Sequence, residues 1–392
     1  MKTGRTLPDL ASELERQANA KRDFLAPAEA LRVRSNGHTD LLVNEPFAVN
    51  EIAHGQLADY TGVPKSFYDR LRNEATDLQI PTPRLGDCPQ AVIDPTQLVQ
   101  CESTPLFDVL LNRLLVGKGG DVRMVRTLDG KARAFLSDAF SLDLDNHDVF
   151  RAAAAAIEQA GLGPEQVASC EVTERRLYLK VVSPKLEATI DPSNLTRPHG
   201  GHHMLKEPQV VQAGFILSNS ETGLGSLVVQ QTVFRLQCTN LWITEDGYRQ
   251  RHLGKTLEAG DDGRVYRSDT RQADARARLL KIRDHIADAL NETRFKMLVA
   301  KMQETTEVKL EGSIEKIVEV TARKFGLAQP EKEDVLKNLI EGADLSLWGL
   351  TNAITATAQT AATYDRSTEL EAIGGRFFAL PAAEVRELVR AA

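Results

Sequence analysis

The chain has 392 residues and a formal net charge of −7, with 42% hydrophobic and 26% charged residues. This length and balance predict a globular protein of two or three domains, and they exclude a protein that is drawn to nucleic acid by its overall charge. No apolar run approaches the ~20 residues that span a bilayer, and the opening MKTGRTLPDL lacks the apolar core of a secretory signal, so we expect a cytoplasmic protein without a membrane partner.

The first region, residues 1–118, is predicted to be mainly helical. Leu7, Leu10 and Leu14 recur at helical spacing among charged residues. Asn50 can cap a second helix, and the TGVP sequence that follows ends it before a third begins. Two helices joined in this way can form a DNA-binding helix-turn-helix, but a simple packing pair is the favoured interpretation. A further helix is predicted around residues 106–115.

The second region, residues 119–268, is predicted to be rich in β-structure. Asp129-Gly130 supplies the positive φ of a two-residue hairpin turn. A helix follows, capped by Asn146 and closed by Gly161, and two more strands turn near Glu174. The β-branched and aromatic runs on both sides of SNSETGLGSL continue the sheet.

The third region, residues 269–392, is predicted to be helical, because apolar residues recur at helical spacing within charged sequence. The fold class that follows is α+β. We expect a central antiparallel sheet of β-hairpins with a backing helix, flanked by an N-terminal helical segment and a C-terminal helical region.

The segment SNSETGLGSL, residues 218–227, concentrates small polar residues and glycines. It lacks the lysine of a Walker loop and the three glycines of a dinucleotide loop, and a β-like run follows it. A connection between strands is therefore the favoured interpretation. The alternative is a loop that presents hydroxyl, amide and N–H groups to a phosphate or to another subunit.

Basic residues gather after residue 234 in an otherwise acidic chain. Arg235 belongs to an alternating strand with an apolar opposite face, and RQRHLGK supplies Arg249, Arg251, His252 and Lys255. Such a cluster can neutralise backbone phosphates and predicts a nucleic-acid interface. The alternative is a set of surface ion pairs with the acidic helices.

A second basic set lies on the Asp129-Gly130 hairpin and comprises Arg123, Arg126, Lys131 and Arg133. Together with Arg175 and Arg176 on the next hairpin, it predicts a basic face on the sheet. Trp242 and Tyr248 are available near the first set to stack on a base.

Metal sites and catalytic motifs are less well supported. His199, His202 and His203 lie within five residues but lack a fourth ligand at a recognised spacing. The acidic run LSDAFSLDLDNHD, with Asp138, Asp143 and Asp145, could hold a metal as nucleases do, but turn and capping roles are favoured. No Gly-x-Ser-x-Gly or His-Glu-x-x-His motif is present. We therefore predict no cofactor and assign no catalytic residue.

Several segments together resemble the phage- and plasmid-borne proteins grouped as the domain of unknown function 932 family. The similarity rests on RAFLSDAFSLDLDNHDVF, EVTERRLYLKVV, QVVQAGFILSNSETGLGSL, VFRLQCTNLWI, RQRHLGK and WGLTNAITATAQ. The resemblance implies a mobile genetic element as the setting, and the HGGHH stretch departs from the usual pattern. The polar positions that it singles out are Ser218, Asn219, Ser220, Glu221, Gly223, Gly225, Arg235, Cys238, Asn240, Arg251 and His252.

These observations lead to one principal hypothesis. The protein is predicted to bind nucleic acid, single-stranded DNA above all, and to act in annealing or protection during recombination or replication as a homo-oligomer. The order of sheet and helix is similar to that of annealing proteins that form rings on single strands. The alternatives are a metal-dependent hydrolase such as a nuclease, and a non-catalytic interaction factor that counters host defence.

Overall fold

The computed structural model describes residues 1–35, 38–83, 101–140, 144–191, 209–236, 239–252 and 268–390. It forms two compact units. Unit 1 comprises Met1–Glu15, Leu142–His252 and Tyr266–Ala392, and unit 2 comprises Arg16–Ser141 and Leu253–Val265. Helices and sheets are both extensive, which confirms the α+β class. None of the helices in the described ranges is long and apolar enough to cross a membrane.

Unit 2 is built on a six-stranded sheet in the order β1-β7-β8-β4-β3-β2. Only the pairing of β4 with β8 is parallel. The Asp129-Gly130 turn between β7 and β8 has the predicted positive φ angles, 51° and 74°. The strands of unit 2, including the separate pair β5–β6, are β1 (Arg22–Pro27), β2 (Arg32–Ser35), β3 (Thr39–Leu42), β4 (Pro46–Val49), β5 (Gln79–Pro83), β6 (Cys101–Pro105), β7 (Val122–Leu128) and β8 (Lys131–Ser137).

Three helices pack on the six-stranded sheet: α2 (Glu51–Thr61), α3 (Lys65–Asn73) and α4 (Leu106–Val116). The Asn50 side chain accepts a hydrogen bond from the Ala53 N–H at 2.9 Å, and Gly62 ends α2 with φ 72°. The buried cluster under these helices includes Leu57, Tyr68, Phe107, Leu111, Val125 and Phe135. The α2–α3 pair is therefore part of the core of unit 2.

The three regions predicted from the sequence, 1–118, 119–268 and 269–392, cut across these units. The hairpin β7–β8 belongs to the same sheet as strands β1–β4 from the first region, which was expected to be mainly helical. Strands β1 to β4 have only four to six residues each. Such short segments show little alternation, so their pairing with distant strands, rather than their own pattern, defines them.

Unit 1 contains a five-stranded antiparallel sheet in which every strand pairs with its neighbours in sequence. The strands are β9 (Val167–Val172), β10 (Leu177–Ile190), β11 (Gln209–Asn219), β12 (Leu227–Arg235) and β13 (Asn240–Gln250). This is the predicted succession of hairpins. The predicted single run VFRLQCTNLWI instead contains a turn, because β12 ends at Arg235 and β13 begins at Asn240, with Thr239 between them at φ 51°.

Helices surround this sheet. The described helices of unit 1, with α1 assigned to it as far as Glu15, are α1 (Leu7–Ala20), α5 (Asn146–Gln159), α6 (Ser268–Ala289), α7 (Glu292–Glu307), α8 (Ile314–Phe325), α9 (Gln329–Gly342), α10 (Leu347–Thr360), α11 (Tyr364–Phe377) and α12 (Ala382–Val389). One apolar cluster joins the sheet to α1, α5 and α6, and another joins it to α7 and α10. A third joins α8 to α12 in a helical core.

Candidate nucleic-acid interface

The connection between β11 and β12 begins with buried residues, Ser220 to Thr222, and reaches the surface at Gly223. Asn219 is fully buried, and its amide nitrogen donates to the Leu144 carbonyl at 2.8 Å and to Asn146 Oδ1 at 2.9 Å. The Nε2 atom of buried His252 lies 3.0 Å from Asn219 Oδ1. Ser218 is also buried, within β11. These three predicted binding residues thus lie in the core of unit 1 and are not presented at its surface.

Glu221 explains why the connection folds back on α5. Its Oε1 accepts the backbone N–H of Asn146, the first residue of that helix. A carboxylate at this position satisfies an unpaired N–H and interacts favourably with the helix dipole. The predicted cap, Asn146, is itself inside the helix, and the residue before it, Asp145, makes no capping hydrogen bond. A residue 75 positions away therefore performs the capping role.

The predicted basic face of unit 2 is mostly internal. Arg126 is fully buried and forms a two-pronged ion pair with Asp23, each contact at 2.8 Å. Arg133 is buried and donates to Gln17 Oε1 at 3.1 Å. Lys131, at the hairpin turn, is exposed. Arg126 and Arg133 therefore stabilise unit 2, Arg123 is half-buried over the rings of Tyr60 and Phe135, and Lys131 presents its charge to solvent.

Arg235 and Asn240 are brought together as cross-strand partners at the ends of β12 and β13. Arg235 Nη1 donates to Asn352 Oδ1 of α10 at 2.7 Å, and Asn240 Nδ2 donates to the Asn352 carbonyl at 3.3 Å. Gln359 Nε2 in turn donates to Asn240 Oδ1 at 2.9 Å. These side chains line a cavity of about 360 Å³, here called the amide cavity, together with Gln209, Asn338, Asp344 and Trp348.

The residues that complete the amide cavity were not singled out from the sequence. A signal for some of them was present in WGLTNAITATAQ, where Trp348, Asn352 and Gln359 follow helical spacing and share one face of α10. Gln209, Asn338 and Asp344 come from other segments and have no comparable pattern. Burial raises the pKa of Asp344, although the nearby charge of Arg235 opposes this shift.

Arg249 lines a larger cavity of about 720 Å³, here called the β13 cavity, between β13 and helices α6 and α7. The rings of Tyr248 and His285 are stacked in its wall, with centroids 4.0 Å apart and an interplanar angle of 13°. Burial raises the pKa of Tyr248, so its hydroxyl stays protonated at neutral pH. Exposed Met297 adds apolar surface to the same wall.

The charges of the β13 cavity are unevenly paired. Arg294 forms an ion pair with Asp288. Arg249 and Lys301 are exposed, and neither has a carboxylate within ion-pair distance among the residues that the structure describes. The lining also includes Glu245 and Asp246. Two exposed cations, neither with an acidic partner among the described residues, therefore line the same cavity as an aromatic pair.

The chain matches no protein-family model, no curated protein and no solved structure. The resemblance to the domain of unknown function 932 family therefore stays a prediction.

The remaining predicted residues are one exposed arginine and four residues that lie outside the described ranges. Arg251 is exposed just after the end of β13. Lys255 and the three histidines, His199, His202 and His203, lie outside the described residues. Within the described ranges, no group of three or more histidine, cysteine, aspartate or glutamate side chains is arranged to hold a metal ion.

Proposed function

We propose that this protein binds single-stranded nucleic acid through the β13 cavity. The observation that carries the proposal is the stacked Tyr248–His285 pair beside the exposed cations Arg249 and Lys301. Base stacking on aromatic rings together with phosphate neutralisation is the general mode of single-strand binding. The cavity volume of about 720 Å³ lies within the ~300–1,000 Å³ range of ligand pockets.

The shape of the cavity favours a single strand over a duplex. Its aromatic pair lies in a concave wall, and a base must leave its own stack to reach the face of Tyr248 or His285. In a duplex, unpairing and unstacking a base costs a few kcal/mol, whereas exposing a base of a single strand costs much less free energy.

The first test removes the two unpaired cations together. In Arg249→Ala/Lys301→Ala, single-strand affinity at low salt should fall at least tenfold, and the slope of log affinity against log salt should flatten by about 1.4, because each phosphate contact contributes about 0.7. Tyr248→Ala should weaken binding by about 1–3 kcal/mol with little change in the salt slope. Fluorescence anisotropy with labelled oligonucleotides measures both quantities.

The matched control removes the same charge elsewhere. Arg323→Ala/Lys337→Ala deletes two exposed cations on α8 and α9, each placed four residues from a glutamate. This variant should bind as the unchanged protein does. Equal losses in both double variants would show that overall charge, not the β13 cavity, determines binding, and would remove the proposal.

The wider role proposed for this binding is annealing or protection of single strands in recombination or replication, by a self-assembling protein of a phage or plasmid. The phage or plasmid setting rests on the sequence resemblance, and the annealing role rests on the similar order of sheet and helix. The cytoplasmic location stays a proposal from the sequence alone. The hydrolase alternative depends on Asp143 and on His199, His202 and His203, which all lie outside the described residues, so no observation of the structure favours it.

A further inference from the structure

The amide cavity contains a framework of amides that bond to one another. Asn240, Asn352 and Gln359 are linked in series, and the Asn352 amide nitrogen also donates to the Trp348 carbonyl at 2.8 Å. The bond from Arg235 Nη1 to Asn352 fixes the guanidinium against the same framework. These amides hold the wall in one arrangement, so the groups that can recognise a ligand are found elsewhere in the lining.

Three other polar groups of the lining keep unused hydrogen-bonding capacity. Asp344 Oδ1 accepts from the backbone N–H and hydroxyl of Ser346, whereas Asp344 Oδ2 has no hydrogen-bond partner among the described residues. Gln209 uses Oε1 for the Trp348 indole N–H and has no such partner at Nε2. Asn338 uses its amide nitrogen and has none at Oδ1. Besides the exposed carboxylate of Glu341, which lies 4.0 Å from Lys337 Nζ, the cavity therefore offers two acceptors and one donor.

We propose that the amide cavity binds a guanine base, with Asp344 Oδ2 accepting hydrogen bonds from the N1–H and the N2 amine. A carboxylate is the strongest acceptor for two adjacent N–H donors, and charge-assisted hydrogen bonds of this kind are about twice as strong as neutral ones. The volume of about 360 Å³ admits a base with its sugar. The positive charge of Arg235 in the same lining complements the acceptors O6 and N7 at the other edge of guanine.

Guanine fits this lining better than the other bases do. Adenine presents an acceptor, N1, between its amine and C2, and this acceptor would face the carboxylate of Asp344 with repulsion. Cytosine also has an acceptor, N3, next to its amine. Uracil and thymine have a single N–H between two carbonyls. Asp344 is 8% exposed, so any group placed against it without a hydrogen bond would leave a desolvated charge unsatisfied.

The test compares guanosine, adenosine and xanthosine 5′-monophosphates by isothermal titration calorimetry on the full chain. The unchanged protein should bind the guanosine nucleotide at least tenfold more tightly than the adenosine nucleotide. Asp344→Asn keeps an oxygen for Ser346 but replaces Oδ2 by an amide NH2 group. This group donates where guanine N1–H and the N2 amine also donate, so the variant should bind the guanosine nucleotide at least tenfold more weakly and should gain no affinity for the xanthosine nucleotide, which keeps N1–H.

A second variant leaves every polar group in place. Ala356 lines the same cavity, so Ala356→Leu should fill part of it and abolish guanosine nucleotide binding. Arg249→Ala/Lys301→Ala should leave the guanine preference unchanged, because this inference does not depend on the β13 cavity. Fluorescence of Trp348, in the cavity wall, reports whether each variant is folded.

The guanine can come from a free nucleotide or from a base within a single strand. Parallel titrations with guanine-containing and adenine-only oligonucleotides distinguish these sources, and a preference that Asp344→Asn removes supports the inference in either arm. Three results would overturn the inference. Guanine and adenine ligands could bind equally as nucleotides and as oligonucleotides, guanine could bind in neither form, or the preference for guanine could survive Asp344→Asn.

Discussion

His54 shows how a buried titratable side chain links the stability of unit 2 to pH. It lies in α2 with only 3% of its surface exposed, and its Nδ1 is 2.8 Å from the Tyr68 hydroxyl. Burial, with a contribution from the nearby charge of Arg72, lowers the pKa of His54 from 6.5 to about 4. The folded protein therefore resists protonation of this ring more strongly than the unfolded chain does.

The sign of the resulting pH dependence follows from that depressed pKa. Above pH 6.5 neither state binds the proton, and His54 does not affect stability. Between pH 6.5 and about 4 the unfolded chain binds it first, so the free energy of unfolding should fall by about 1.4 kcal/mol per pH unit, or about 3 kcal/mol in total. Hydrogen exchange of unit 2 amides at several pH values measures this loss. His54→Gln should flatten the profile, and parallel profiles for both proteins would contradict the assignment.

Lys180 and Glu371 form a fully buried ion pair in unit 1. Lys180 Nζ lies 2.6 Å from Glu371 Oε2 and 4.6 Å from the centre of the Tyr364 ring. Lys180→Met leaves the carboxylate buried without its partner and should lower the free energy of unfolding by about 3–5 kcal/mol. Lys180→Met/Glu371→Leu removes both charges and should recover most of that loss.

Tryptophan fluorescence during denaturation is the appropriate measurement for this pair. The two tryptophans of the chain, Trp242 and Trp348, both belong to unit 1, so the signal reports this unit alone. A double variant that is no more stable than Lys180→Met would show that the buried charge is not the cause.

At the scale of single residues, the sequence could single out polar positions but not the groups around them. Arg235 and Asn240 were singled out as nucleic-acid-binding residues, which stays a prediction; the structure places both in the wall of the amide cavity, where their common partner, Asn352, is more than 110 residues away. Asn219 and His252 were also singled out, and the structure buries both in one hydrogen-bonded network. A polar residue that serves a buried network and one that serves a ligand look alike in sequence, because both depart from apolar patterning.

At the level of secondary structure, the sequence predicted the elements that depend on neighbouring residues. Turn, capping and periodic patterns within a few residues predicted the Asp129-Gly130 hairpin, the Asn50 cap and the C-terminal helices. Strands β1 to β4 and the capping of α5 by Glu221 depend on partners far along the chain. These features lie beyond what a window of sequence can predict.

The contact between α11 and β13 depends on a glycine. A Cβ atom at Gly375 would lie 1.8 Å from the Ile243 carbonyl oxygen, which is backbone and cannot move aside cheaply. Gly375→Ala should therefore separate the helix from the strand and lower the free energy of unfolding of unit 1 by about 1–3 kcal/mol or more, the usual range for overpacking. Tryptophan fluorescence measures the change, since Trp242 lies on β13.

Gly342→Ala is the matched control for this contact. Gly342 is also in a helix of unit 1, α9, and no atom lies within 4 Å of the position of its added Cβ. The control should be neutral or more stable by up to about 1 kcal/mol, because alanine favours the helix more than glycine does. Similar effects of the two substitutions would show that the contact with β13 is not tight.

For the whole molecule, charge and composition predicted a globular protein but did not predict where its binding sites lie. A net charge of −7 argues against binding nucleic acid through the overall field, so the proposal depends on a local arrangement at β13. The basic hairpin of unit 2 does not supply that arrangement, because Arg126 and Arg133 are buried with partners of their own. Arg249 and Lys301 remain as the exposed cations beside an aromatic pair.

The most direct measurement of the central proposal is the affinity of the unchanged protein for a labelled single strand and for the matching duplex, by fluorescence anisotropy across a salt series. We expect the single strand to bind more tightly at every salt concentration, with an affinity that falls as salt rises because cations at the β13 cavity contact phosphates. Absence of binding at the lowest salt, or a duplex bound as tightly as the single strand, would contradict the account.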